Sequence, residues 1–119
     1  MVVDQLSEDT IDRLFQALSD ATRRDIVRRV SSEPFSVSGL AALYAMSFAA
    51  VQKHVAVLER ASLVTKEKRG REQMVNANRD GLQRARQLLD EYEVIWRQRA
   101  VRIADILAED NEQLGDALP

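Results

Sequence analysis

The chain has no cysteine, one histidine, two prolines and four glycines among its 119 residues. Without cysteine there is no disulfide framework, no thiol switch and no Cys-ligated zinc or iron–sulfur centre. That composition fits a reducing compartment. A single histidine removes most routes to acid–base catalysis. His54 falls inside an amphipathic stretch, and a general base needs both a partner and a cleft. No glycine-rich phosphate loop and no nucleophile elbow is present. The expected class is therefore not an enzyme.

Long apolar runs are missing too. The longest uncharged one, from Gly39 to Val51, is broken by serine and falls short of the roughly 20 residues that cross a bilayer. The opening MVVDQLSED is acidic and lacks the basic-then-apolar order of a signal peptide. These readings predict a cytoplasmic protein with no membrane partner. The acidic cluster Asp90, Glu91 and Glu93 lies in a stretch without His or Cys, so it reads as a solvated helix face and not as a metal site. No cofactor is expected.

What the chain does have is segregated charge. The formal net charge is -2, yet Ser47 to Arg79 carries seven Lys/Arg against three Asp/Glu. Ala104 to Pro119 has five acids and no base. Four cations, Lys66, Lys68, Arg69 and Arg71, crowd around Gly70 in KEKRGREQ. Such local excess points to an anionic partner, while the acidic remainder keeps the chain soluble.

Hydrophobic periodicity gives the elements. Ser7 caps a first helix whose Ile11, Leu14, Phe15 and Leu18 follow the spacing of one buried face. Asp20 caps a second, with Ile26, Val27 and Val30 inward, and Pro34 ends it. Ser36 opens a short third helix, SVSGLAALY, with Leu40 and Leu43 as core contacts. Tyr44, Ala45 and Met46 then lead to Ser47, the cap of a fourth helix striped by Val51, Val55 and Leu58. So short a connection fits a helix-turn-helix, whose helices cross at about 90–120°.

LVTKEKR and EQMVNA read as two strands of a hairpin, with Gly70 supplying the positive φ of the turn. Asp80 with Gln83 resembles a capping box for a long helix to about Glu109. Along it Leu82, Ala85, Leu89, Tyr92, Trp96, Arg99, Ile103 and Ile106 alternate spacings of three and four, an a/d repeat. Leu88, Ile95 and Leu107 widen that stripe. A second chain could cover it. The tail from about Asp110 is expected to fray.

The fourth helix carries the chemistry. Small residues at its start let a helix approach the floor of the major groove. Gln52 can bond an adenine edge, and Lys53 can reach guanine or phosphate. The basic hairpin follows closely, so Arg69 and Arg71 can clasp phosphates of the same duplex or enter its minor groove.

The quoted segments carry a family resemblance. LSDATRRDIV (Leu18–Val27), SVSGLAALYAMSFAAVQKHVAVLERASLV (Ser36–Val64) and KRGRE (Lys68–Glu72) resemble the winged-helix regulators of the ArsR family, over roughly residues 11–79. The resemblance implies a mainly α fold with a small β-hairpin: a winged helix-turn-helix with a long C-terminal dimerisation helix. It implies one winged-helix domain over 1–110, with the helix-turn-helix at 36–61, the wing at 63–77, the dimerisation helix at 80–109 and an acidic tail at 111–119.

Its functional implication is a sequence-specific transcriptional regulator, a homodimeric repressor on an inverted-repeat operator in double-stranded DNA. Ser47, Phe48, Ala49, Gln52, Lys53 and His54 match the reading helix, and Lys68, Arg69 and Arg71 match the wing. Leu14, Phe15, Leu88, Tyr92, Ile95 and Trp96 match the dimer interface. Ala45 and Ser62 replace two usual glycines. The cysteines and His/Asp ligands of metal-sensing members are missing, which argues against metal sensing and leaves any small-molecule effector unidentified. A winged-helix protein–protein interaction module without DNA binding is the alternative.

Overall fold

The computed structural model describes residues 7–117, with side chains as far as residue 112. Its elements in chain order are α1 (Glu8–Leu18), α2 (Ala21–Ser32), β1 (Phe35–Ser36), α3 (Val37–Ala41), α4 (Phe48–Arg60), β2 (Val64–Arg69), β3 (Glu72–Ala77) and α5 (Arg79–Ala117). This is a mostly helical winged helix-turn-helix with a small antiparallel sheet and a long C-terminal helix. Two compact units result, Met1–Ala85 and Arg86–Pro119. The residues on which the signal-peptide reading rests in part, 1–6, lie outside the described residues, as do 118–119 of the acidic tail.

Four helices of the first unit begin on the expected caps. The side chains of Ser7, Asp20, Ser36 and Ser47 accept from the N–H three residues on, at 3.1, 3.0, 2.9 and 3.1 Å. Each satisfies one of the four N–H groups that a helix start leaves without a partner. The far end of α1 is capped from α2. Arg23 donates to the carbonyls of Ala17 and Gln16, both at 2.8 Å, and Arg24 donates to that of Leu18 at 2.7 Å. Cations at a helix C-terminus also oppose its negative dipole end.

The core of this unit gathers Leu14, Ile26, Val30 and Leu40 with the α4 stripe Val51, Val55 and Leu58, as the periodicity predicts, and adds Leu63. Phe15, expected on the buried face of α1, is instead 45% exposed because it falls at the edge of that face. Leu43 departs from expectation. Helix α3 ends at Ala41, so Leu43 falls in the following turn and is 46% exposed.

The wing is a three-stranded sheet in the order β1-β3-β2, not a two-stranded hairpin. Phe35 pairs with Val75 and Ser36 with Met74. The added strand has only two residues, too few to show an alternation in sequence. It supplies the third strand that an isolated hairpin lacks for stability. At the tip Arg69 pairs with Glu72, leaving Gly70 and Arg71 as the loop. Gly70 has φ +63° and Arg71 does not enter the left-handed region, the pattern of a II′ turn with glycine first.

Between α4 and β2 the chain turns through Ser62, at φ +61°. The Ser62 N–H donates to the Glu59 carbonyl and the Leu63 N–H to that of Leu58, both at 3.0 Å. These two bonds make a Schellman motif, with serine in the position glycine usually holds. Gly81 packs against this turn so closely that a Cβ there would lie 1.6 Å from the Ser62 carbonyl oxygen.

Helix α5 starts earlier than expected. The Leu82 N–H bonds to the Asn78 carbonyl, so Asn78 is the residue before the helix and Asp80 sits within its first turn. There Asp80 favours the positive dipole end without capping it. The helix also runs on to Ala117, past the end expected near Glu109. In the second unit Arg97 pairs with Glu93 at 2.8 Å and Arg86 with Asp90 at 3.7 Å, both one turn apart. Leu89, Tyr92, Ile95, Trp96, Ile103, Ile106 and Leu107 of its apolar stripe are all exposed.

Candidate nucleic-acid interface

Helix α4 buries Val51, Val55 and Leu58 and turns its other side to solvent. At about 100° per residue, Phe48, Ala49, Gln52, Lys53 and Ala56 share an arc of about 140°. Ser47, Phe48, Ala49, Gln52 and Lys53 are exposed. Ser47, Ala49 and Ala56, with the one large ring of Phe48, therefore flank a hydrogen-bonding amide and a cation on one accessible face. That is what direct reading of base edges in a major groove requires.

His54 does not belong to that face. It points about 160° round the helix from Gln52. Its Nδ1 lies 3.3 Å from Nη1 of Arg23, the arginine that caps α1. With the guanidinium as donor, Nδ1 is the acceptor and the ring proton sits on Nε2. The imidazole thus fastens the back of α4 to the α1–α2 corner. Spacing within α4 could not reveal this, because the partner lies on another helix.

The wing cations are sorted by their neighbours. Lys66 pairs with Glu59 at 3.4 Å and so ties β2 to the end of α4. Arg69 donates to Glu67 at 2.7 Å, which offsets part of its charge. Lys68 and Arg71 are exposed and, among the described residues, unpaired. The wing charge open to an outside anion is thus concentrated at the tip.

A network absent from the sequence reading holds the α3–α4 turn. The Tyr44 hydroxyl donates to Asp25 Oδ2 at 2.6 Å, and Arg29 Nε donates to the same oxygen at 2.8 Å. Arg28 donates to Oδ1 at 2.6 Å, and the Arg29 guanidinium lies 5.9 Å from the centre of the Tyr44 ring. The hydroxyl of Tyr44, then Arg29 and Arg28, holds the Asp25 carboxyl far below the ordinary range. Burial, followed by the bond to Asp25, pushes the Tyr44 hydroxyl up to about 12. Asp25 with Arg28 and Arg29 has helical i+3 and i+4 spacing, a usable signal. Nothing local pointed to Tyr44.

Of the dimer residues implied by the resemblance, Phe15, Tyr92, Ile95 and Trp96 are 45%, 52%, 63% and 65% exposed. Leu14 and Leu88 are not: they are 5% and 8% exposed, so neither offers appreciable area to another chain. No group of three or more His, Cys, Asp or Glu able to hold a metal occurs among the described residues. None of the described helices is long and apolar enough to cross a membrane.

An exposed α4 face beside a basic wing, on this fold, defines a winged helix-turn-helix transcriptional regulator. Comparisons with known proteins agree. A helix-turn-helix domain family matches residues 18–67. The HTH-type transcriptional regulator Rv2034 of Mycobacterium tuberculosis is 38% identical over 68% of this chain and 76% of its own length. The ArsR-like transcriptional regulator from Rhodococcus sp. RHA1 is 31% identical, over 82% of this chain and 92% of that one, with a TM-score of 0.72. The homodimeric winged helix-turn-helix DNA-binding domain of Mb0332 from Mycobacterium bovis shares the fold at 19% identity and a TM-score of 0.59, over 79% of this chain and 90% of that one. The chain belongs to the ArsR family of helix-turn-helix transcriptional regulators, which bind DNA and are not enzymes.

Proposed function

We propose that the protein is a cytoplasmic homodimeric repressor that occludes a promoter by binding an inverted-repeat operator. The observation that carries this reading is the exposed face of α4, with Gln52 and Lys53 beside Ser47, Phe48 and Ala49. In each subunit that face enters a major groove, and the two half-sites lie about 34–36 Å apart. Lys68 and Arg71 contact phosphates beside it, with Arg69 a lesser contributor. Pairing of two chains through the stripe around Tyr92, Ile95 and Trp96 accounts for the exposure of that stripe, and Phe15 is a further exposed apolar residue open to a second chain. The homodimeric Mycobacterium bovis protein of the same fold supports that assembly. Residues 1–110 form the working domain, and 111–119 an acidic tail that discourages indiscriminate binding.

Selection of bound fragments from sheared genomic DNA at moderate salt tests the reading. Enrichment of one short inverted repeat is the expected result. Gln52→Ala then changes the preferred sequence, while Arg71→Ala weakens binding to all sequences and lowers the salt slope by about one. Recovery of nothing above background by folded protein would favour the interaction-module alternative.

A further inference from the structure

A second cationic feature lies away from the wing. Between α1 and the C-terminal end of α4 there is a cleft of about 240 Å³ lined by Arg13, Gln16, Val57 and Arg60. Five arginines of the first unit have partners: Arg23 and Arg24 cap α1, Arg28 and Arg29 hold Asp25, and Arg69 holds Glu67. Among the described residues Arg13 and Arg60 take part in none of the ion pairs. Two guanidinium groups from different helices therefore flank one concave surface with no anion to compensate them.

We propose that this cleft binds a small organic anion, a phosphate monoester or carboxylate with a short apolar part. Guanidinium forks suit such oxyanions because they offer paired donors in a plane. The Gln16 amide adds a further donor, and Val57 supplies an apolar wall. The volume is below the about 300–1,000 Å³ of pockets that enclose drug-sized molecules, which limits the ligand to few heavy atoms. The site is also compatible with a dimer built on Phe15, since Arg13 points about 160° round α1 from that ring.

The position gives the ligand a reason to matter. Arg60 lies on the same flank of α4 as Lys53, about 10 Å further along the helix. An anion held there lowers the positive field beside the reading face, so ligand and operator weaken each other's binding reciprocally. Binding in the cleft stands without DNA; only this coupling rests on the operator-binding reading above.

The test uses the full chain, labelled for amide and arginine side-chain NMR, titrated at constant ionic strength with inorganic phosphate and with phenyl phosphate. The expected result is saturable shifts centred on Arg13, Gln16, Val57 and Arg60. Phenyl phosphate should bind roughly threefold tighter, because its ring buries area against Val57. Arg13→Gln and Arg60→Gln should each weaken binding roughly tenfold, the loss of one charge-assisted contact, and together abolish it. Arg102→Gln, in the second unit, should change nothing.

Shifts that stay linear and spread over Lys68 and Arg71 would mean an adventitious ion only and overturn the proposal. So would a double variant that loses operator affinity while the parent shows no cleft shifts, since the two arginines would then be contacts to the DNA backbone. The spectra themselves report whether each variant is folded.

Discussion

The two units of the chain treat their apolar residues in opposite ways. In the first, Ile26, Leu40, Leu58 and Leu63 are fully buried. In the second, Leu89, Tyr92, Ile95, Trp96, Val101 and Ile106 are all more than half exposed. Apart from Leu63, in the turn after α4, and Val101, off the α5 stripe, both sets follow helical periodicity. Periodicity therefore identifies which face seeks burial but not whether the same chain supplies the cover. One unit is complete as a protomer, and the other is completed by assembly under the proposed function.

The sharpest way to break this contrast is to charge the exposed stripe. Ile95→Asp with Trp96→Asp should weaken self-association by at least ~100-fold, because a carboxylate cannot be desolvated in an apolar interface without a partner. Sedimentation equilibrium measures this. A parent protein that is monomeric at micromolar concentration would end the dimer reading. The double variant should keep the melting behaviour of its first unit.

A change in the first unit should act on folding instead. Gly81→Ala forces a Cβ to within 1.6 Å of the Ser62 carbonyl, a backbone atom that cannot swing aside. Overpacking of this kind should cost ~1–3 kcal/mol or more in urea unfolding. Unchanged stability would show that the turn and the start of α5 are not packed as described.

The Asp25 network predicts a pH signature within the same unit. Its carboxyl is depressed in the folded state from an ordinary 3.8. Its contribution is therefore full above that value and is lost as pH falls through the folded-state value. Asp25→Asn should destabilise clearly at pH 7, and its deficit relative to the parent should shrink as the pH drops below about 4. Melts of both proteins at pH 7 and pH 3 check the sign; a constant deficit would remove the ionised carboxylate from the account.

The smallest expected effect is a gain. Ser62 holds a left-handed conformation that costs a residue with a Cβ ~1–2 kcal/mol, partly offset by the chain entropy glycine would add to the unfolded state. Ser62→Gly should therefore stabilise by ~0.5–1 kcal/mol, read as a rise in melting temperature without loss of DNA binding.

What was legible in the sequence was local. Ser7, Asp20, Ser36 and Ser47 bond backbone groups three residues away, so cap and helix lie in one window. The α4 stripe and the glycine turn of the wing were equally self-contained. The misses depend on remote partners. Strand β1 exists because β3 lies beside it, and His54 faces inward because Arg23 waits on α2. Tyr44 bonds to Asp25 across a helix boundary. Leu43 lies outside the core because α3 stops at Ala41, which the apolar pattern alone does not show.

The contrast between two glycines bears on how such a regulator can diversify. Around Gly70 a Cβ would meet nothing within 4 Å, whereas at Gly81 it would strike backbone. Exposed tips of small residues are where chains accept insertions. The wing can therefore be lengthened, shortened or re-charged to suit a new duplex, while the junction behind it stays invariant in length. Under the proposed function, the strength of the backbone grip can change at one end of the hairpin without disturbing the packed turn at the other.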